Sequence, residues 1–207
     1  VLKELATSGG ADVVVAVDVE PPPLSPPRVV FRVMDARDRL LPLVLEGVDV
    51  VVHAAFSDDL AGSADTLYGI NVGGTRNVLQ AASKAGVAHL VVLSSAMAYG
   101  AHSDNALPLA EDAPLRANPG FAYGYQRQLV EEMVADWAAQ NPAATVTVLR
   151  LAPAMGGGVT SAVVRRLQAP RLPVPRGLGA PWQFVHVDDV GRAVALVVRE
   201  QLGGTFN

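Results

Sequence analysis

An α/β fold built on a doubly wound, Rossmann-like parallel sheet is what this sequence predicts, and three observations predict it. Five short apolar runs rich in β-branched residues recur at 12–18, 28–35, 48–54, 89–95 and 145–151. With little alternation of apolar and polar residues, they read as strands buried on both faces. Helical patterns fall between them, at 37–46, roughly 60–86 and 121–140. Strand and helix in alternation indicate parallel pairing with helices on both sides of the sheet.

Taken in order, the opening "VLKELATSGG" has the character of the last turns of a helix with a glycine stop. "DVVVAVD" gives the next strand and ends on Asp18, and "PPPLSPP" (21–27) an extended loop. "RVVFRVMD" ends on Asp35, "VDVVVHA" on His53 and Ala54, "HLVVLSS" on Ser94 and Ser95, and "TVTVLRL" on Arg150 and Leu151. Beyond 151 the chain turns rich in Gly and Pro, with short helices expected near 161–168 and 188–201. The division that follows is a sheet-and-helix unit over 1–151, where folds of this class are expected to hold a dinucleotide, and a small part over 152–207, expected on the substrate side, with segments of the latter returning to the former. Residues 155–182 are expected to form a substrate lid. The chain opens on Val1 and closes on "GGTFN", a strand barely begun, so the expectation is the middle of a longer protein.

Composition narrows the function. The chain has 207 residues, half of them hydrophobic, with a net charge of −4. That suits one domain with a sizeable core. The basic residues do not cluster, which argues against nucleic acid as partner. No apolar run approaches the ~18 residues of a membrane span. There is no cysteine, so no disulfide or thiolate chemistry; a reducing cytoplasm fits, and no signal peptide is visible.

In open sheets of this kind, ligands sit beyond the carboxyl ends of the strands. A lone acid such as Asp18 there can bind adenosine ribose hydroxyls and repel a 2′-phosphate, and no arginine follows it, which favours NAD over NADP. The competing reading is a turn residue. Asp35 repeats the placement one strand later, where it could accept from an adenine amino group or cap the helix at 37–46. His53 suits a hydrogen-bonded core histidine better than a base. The four histidines are scattered and suggest no metal site, while "HVDDV" (186–190) fits a strand entering a helix capped by Asp188.

The stretch "FAYGYQRQLVEE" (121–132) places Tyr123 and Arg127 one helical turn apart on a shared face. A phenol beside a fixed cation is a proton-transfer pair in the making. Ser95, at the end of its strand, could hydrogen-bond a substrate carbonyl or alcohol. The three form one group: Ser95 orients, Tyr123 transfers the proton, and the cation stabilises tyrosinate.

These residues together resemble the extended short-chain dehydrogenase/reductase superfamily, in its NAD-dependent epimerase/dehydratase branch. The resemblance runs over nearly the whole chain: Asp18, "MDARD", "VVHAAF", "NVGGTRNVLQAA", "LSSAMAYG", the Tyr-x-x-x-basic pair followed by Glu131, "LRLAPAMGGG" and "FVHVDDVGRAV". It implies catalytic roles for Ser95 and Tyr123, with Arg127 standing where the family has lysine. It implies cofactor contacts for Asp18, Asp35, Ala36, Ala54, Ala55, Phe56, Asn71, Tyr123, Arg127 and Ala152, and a helix-ordering role for Asn71. A small-molecule substrate and a homodimer of the full-length parent are further implications. The family's glycine-rich phosphate loop is missing. Pro153 replaces an asparagine that contacts nucleotide sugars in many members, and Ala96-Met97 stand where a dehydratase has an acidic pair.

The expected function is therefore NAD-dependent hydride transfer to and from a hydroxyl or carbonyl substrate, as oxidoreductase or epimerase. Arg127 keeps a second reading open, a non-catalytic dinucleotide sensor or scaffold on the same fold. In the strand order 3-2-1-4-5-6 a missing first strand lies in mid-sheet, between "DVVVAVD" and "VDVVVHA". The expectation is a slot there, or a forced pairing, and a fragment that is inactive by itself.

Overall fold

A computed structural model describes residues 1–8, 10–22, 26–58, 63–172 and 182–207. The helix α1 (Leu2–Ser8) leads into β1 (Val14–Asp18), which pairs in parallel with β2 (Val29–Val33). A second sheet holds β3 (Val50–His53), β4 (His89–Ser95), β5 (Thr145–Leu151) and, at its far edge, β8 (Gly204–Phe206), all parallel and in that order. Two short strands, β6 (Ala154–Met155) and β7 (Val185–His186), form a separate parallel pair.

The central strand shows why the apolar runs lack alternation. Every residue of β4 is buried. Leu90 and Val92 pack on one side with Val78, Leu79, Val130, Val134 and Trp137, from α4 (Gly74–Ala85) and α5 (Ala122–Gln140). Val91 and Leu93 point to the other side, against Leu5 of α1 and Val190 and Val194 of α7 (Val187–Arg199). Side chains alternate between faces along a strand, so two apolar layers require an uninterrupted apolar run.

Between β1 and β3 there is no ladder. A cavity of about 1070 Å³ lies there, lined by Val15, Val17, Val50 and Val52 among others, and Val15 remains exposed. This is the slot that the strand order leads one to expect, rather than a forced pairing.

Three elements differ from the sequence expectation. The helix expected at 37–46 shrinks to α2 (Leu41–Val44). Asp35 and Asp38 accept from the backbone N–H groups of Arg37 and Leu40, holding 35–40 in turns that compete with helix. The helix expected over 60–86 is α3 (Ala64–Tyr68), a π-helical segment at Gly69–Gly73, and α4; its first residues, 60–62, lie outside the described residues. The cap of α7 is His186 rather than Asp188: the imidazole Nδ1 accepts from the Asp188 N–H, leaving Asp188 in the first turn, where its charge suits the helix dipole. Gly9, part of the loop at 21–27 and part of the lid expected at 155–182 fall outside the described residues.

Candidate active site

Helix α5 carries Tyr123 and Arg127 on one face, as a four-residue spacing requires. Arg127 donates from Nη2 to the Tyr123 phenol oxygen at 3.0 Å. Arg127 is only 4% exposed, and its guanidinium stacks on Phe56, with Cζ 3.7 Å from that ring's centroid and 4.7 Å from that of Tyr123. Its Nε and Nη1 are buried without a partner among the described residues. Burial pulls the Arg127 pKa below its ordinary value, opposed by Tyr123, Asp58 and Glu131. An arginine stays charged even so.

Ser95 ends β4 in extended backbone and accepts from the Met97 N–H at 3.2 Å. That leaves its hydroxyl hydrogen free to donate. Gly124, next to Tyr123, allows the approach of α5: a Cβ there would lie 2.8 Å from the Met97 carbonyl oxygen. Tyr123, Arg127, Ser94, Ser95, Phe56, Ala54 and Ala152 line one cavity of about 1170 Å³. Its far wall includes Phe121, Trp182, Phe184 and α6 (Ala162–Leu167), which Asp58 anchors by accepting from the Ala162 N–H at 2.8 Å.

The remaining cofactor positions divide. Asp18, Ala36, Ala54 and Ala55 line the cavity between β1 and β3. Ala54, just past the end of β3, lines both cavities. Asp18 is exposed, and the Val19 N–H at 2.7 Å donates to one of its oxygens. At Asp35, Arg37 donates to both carboxylate oxygens, from Nε at 2.9 Å and Nη2 at 2.6 Å, and holds its pKa down. Asn71 is fully buried and spent on the protein itself, accepting from the Ser57 N–H and donating to the Ser57 carbonyl and Gln126. It ties the β3 loop to α5 at the residue before Arg127.

His53 is a core residue. Thr75 donates to the Asn71 carbonyl, so its oxygen accepts from His53 Nε2 at 2.9 Å. The imidazole packs on Phe56, ring centroids 4.3 Å apart, and burial followed by the nearby Arg127 charge lowers its pKa to about 3. Among the described residues no group of acidic or imidazole side chains could hold a metal, and no helix is long and apolar enough to cross a membrane. Sequence reasoning missed Phe56 as the platform under Arg127, and the aromatic wall at 182–184. Only the i+4 repeat from Tyr123 through Arg127 to Glu131 signalled a further member on the same helix face.

Ser95 at the carboxyl end of β4, Tyr123 and Arg127 thus line one cavity beside a parallel sheet. The chain belongs to the NAD dependent epimerase/dehydratase family, which it matches over residues 1–207. One relative is the N-acetyl-alpha-D-glucosaminyl-diphospho-ditrans,octacis-undecaprenol 4-epimerase of Escherichia coli O157:H7. It is 33% identical over 124 residues, covering 58% of this chain and 36% of that protein. The structure of MoeE5 in complex with UDP-glucuronic acid and NAD superposes with a TM-score of 0.80 at 28% identity, over 98% of this chain and 68% of that one. A double mutant of DesIV, a dTDP-glucose 4,6-dehydratase from Streptomyces venezuelae with NAD bound, gives 0.76 at 28% identity, over 94% and 65%. The chain spans about half the length of the curated relatives it matches, 48% and 49% for two of them.

Proposed function

We propose that the full-length protein is an NAD-dependent oxidoreductase or epimerase acting on a small molecule that carries a hydroxyl or carbonyl group. The observation that carries this reading is the buried Arg127–Tyr123 contact, opening with Ser95 onto one cavity. The residues fit the cofactor. Among the described residues two Arg127 nitrogens lack an acceptor, the small Ala54 follows β3 at the cavity wall, and the exposed Asp18 carboxylate, one oxygen of which accepts from the Val19 N–H, lies on the side where ribose hydroxyls would sit. When bound, NAD supplies the nicotinamide that takes a hydride from the substrate carbon or returns it. Ser95 donates to the reacting oxygen and holds it in place. Tyr123 takes the proton from that oxygen as the carbonyl forms and returns it on reduction. Arg127 stabilises the tyrosinate and fixes its position through the stack on Phe56. The unit 152–207 supplies the substrate side.

Asp18 sets the cofactor preference, since a 2′-phosphate would meet a carboxylate with no arginine beside it in sequence. The reading also places the protein in the cytoplasm, as a homodimer. The test is to purify the full-length protein, release its nucleotide and identify it, then measure the affinity for both cofactors. NAD is expected, with Asp18→Ala narrowing the preference; tighter NADP binding contradicts the assignment.

A further inference from the structure

Glu131 sits one turn beyond Arg127 and two beyond Tyr123, on the same face of α5. It is buried, and no step of the reaction uses it. Its Oε1 accepts from the Ser94 hydroxyl at 2.5 Å. Its Oε2 accepts from Arg150 Nε and Nη2, each at 2.9 Å, in a two-pronged ion pair. Arg150 Nη1 then donates to the Tyr99 phenol oxygen at 2.6 Å and to the Glu111 carbonyl at 2.8 Å. Tyr99 donates in turn to the Asn207 side chain at 2.7 Å. Burial works against the Arg150 charge, but the bonds to Glu131 and Tyr99 outweigh it and raise its pKa.

The partners of this pair bracket the catalytic serine. Ser94 precedes Ser95 on β4, and Tyr99 ends the short 3-10 turn Ala96–Tyr99 that follows it. Glu131 therefore ties α5, which carries Tyr123, to the strand end that carries Ser95. The Gly124 backbone, close against the Met97 carbonyl, is a second pin one residue from the phenol. A buried ion pair offers little stability over apolar packing of the same shape. Its hydrogen bonds are directional, however, and select one rotation and one height of α5 against β4.

We propose that the Glu131–Arg150 pair is a positioning unit, which through Ser94 and Tyr99 sets the placement of the Tyr123 phenol against the Ser95 hydroxyl. This rests on the reading of Ser95 and Tyr123 as the reacting residues, yet its test needs no turnover. 3-Fluorotyrosine is placed at position 123 of the full-length protein, and its fluorine resonance is recorded in three backgrounds. Glu131→Gln keeps the shape but leaves the Arg150 charge unpaired. Ser94→Ala keeps the ion pair but cuts its tie to β4. Trp137→Phe, on the same helix, loses a buried hydrogen bond to the Leu79 carbonyl without touching the unit, and is the control.

The expected result is a shifted or split resonance in Glu131→Gln and Ser94→Ala, and an unchanged one in Trp137→Phe. A single wild-type resonance in folded Glu131→Gln overturns the proposal, as does an equal shift in the control. Should Glu131→Gln fail to fold, Ser94→Ala decides alone by the same criterion. A protein that turns over no substrate but shows the expected shifts sinks the functional reading and leaves the positioning intact.

Discussion

Arg127 reaches the phenol oxygen of Tyr123 across 3.0 Å, and that contact is its only hydrogen bond among the described residues. The rest of its hold comes from stacking on Phe56. A buried charge held this way is costly to the fold, and such a cost is often met at a reacting centre.

Substituting Arg127 separates these two effects. In Arg127→Met the charge that supports tyrosinate is gone, so turnover should fall by at least about a hundredfold, ~2.7 kcal/mol. The same change removes an unpaired buried cation, so the melting temperature should rise or hold. Arg127→Lys, which keeps a cation over Phe56 and near Tyr123, should retain activity within about tenfold, ~1.4 kcal/mol. Steady-state kinetics and thermal unfolding of the two variants check this.

His53 gives the fold a pH dependence whose sign is fixed. The folded chain keeps it neutral down to about pH 3, whereas the unfolded chain takes up a proton below the ordinary value of 6.5. Its contribution to stability is therefore complete above that value and is lost as the pH falls toward 3. The slope is at most about 1.4 kcal/mol per pH unit. His89, which burial also holds below its ordinary value, adds in the same direction. Urea unfolding of wild type and His53→Gln across the mildly acidic range should show a shallower loss in the variant. Parallel curves would mean that His53 is not held neutral.

The slot between β1 and β3 bears on the 207 residues taken by themselves. Two apolar strand edges face a cavity there, which invites intermolecular pairing. These residues alone are expected to be inactive, to bind NAD far more weakly than the full-length protein, and to associate in solution. Calorimetric titration with NAD and sedimentation check this. A soluble monomer of these residues that binds NAD at micromolar concentration contradicts it.

How much of this was legible in the sequence depended on the distance between partners. β4 could be read because a strand buried on both faces needs a mostly apolar run, and Tyr123–Arg127 because four residues make about one turn. The π-helical segment at 69–73 could not be read, because Asn71 is held by Ser57 and by Gln126, 55 positions along the chain. Helix α2 fell short because two aspartates took the backbone N–H groups that a helix would use. The unit formed by Ser94, Glu131 and Arg150 is invisible to local pattern, since its members meet only once the sheet and α5 are packed.

The most direct test of the central claim, that Tyr123 moves the proton in an NAD-linked reaction, is Tyr123→Phe in the full-length protein. NADH formation is followed by absorbance with a substrate the wild type turns over, and NAD affinity is measured separately by calorimetry. The phenol oxygen is lost, while Ser95, Ala54 and Asp18 are untouched, so turnover should vanish with NAD affinity within a few-fold of wild type. Near-normal turnover in that variant would contradict the account.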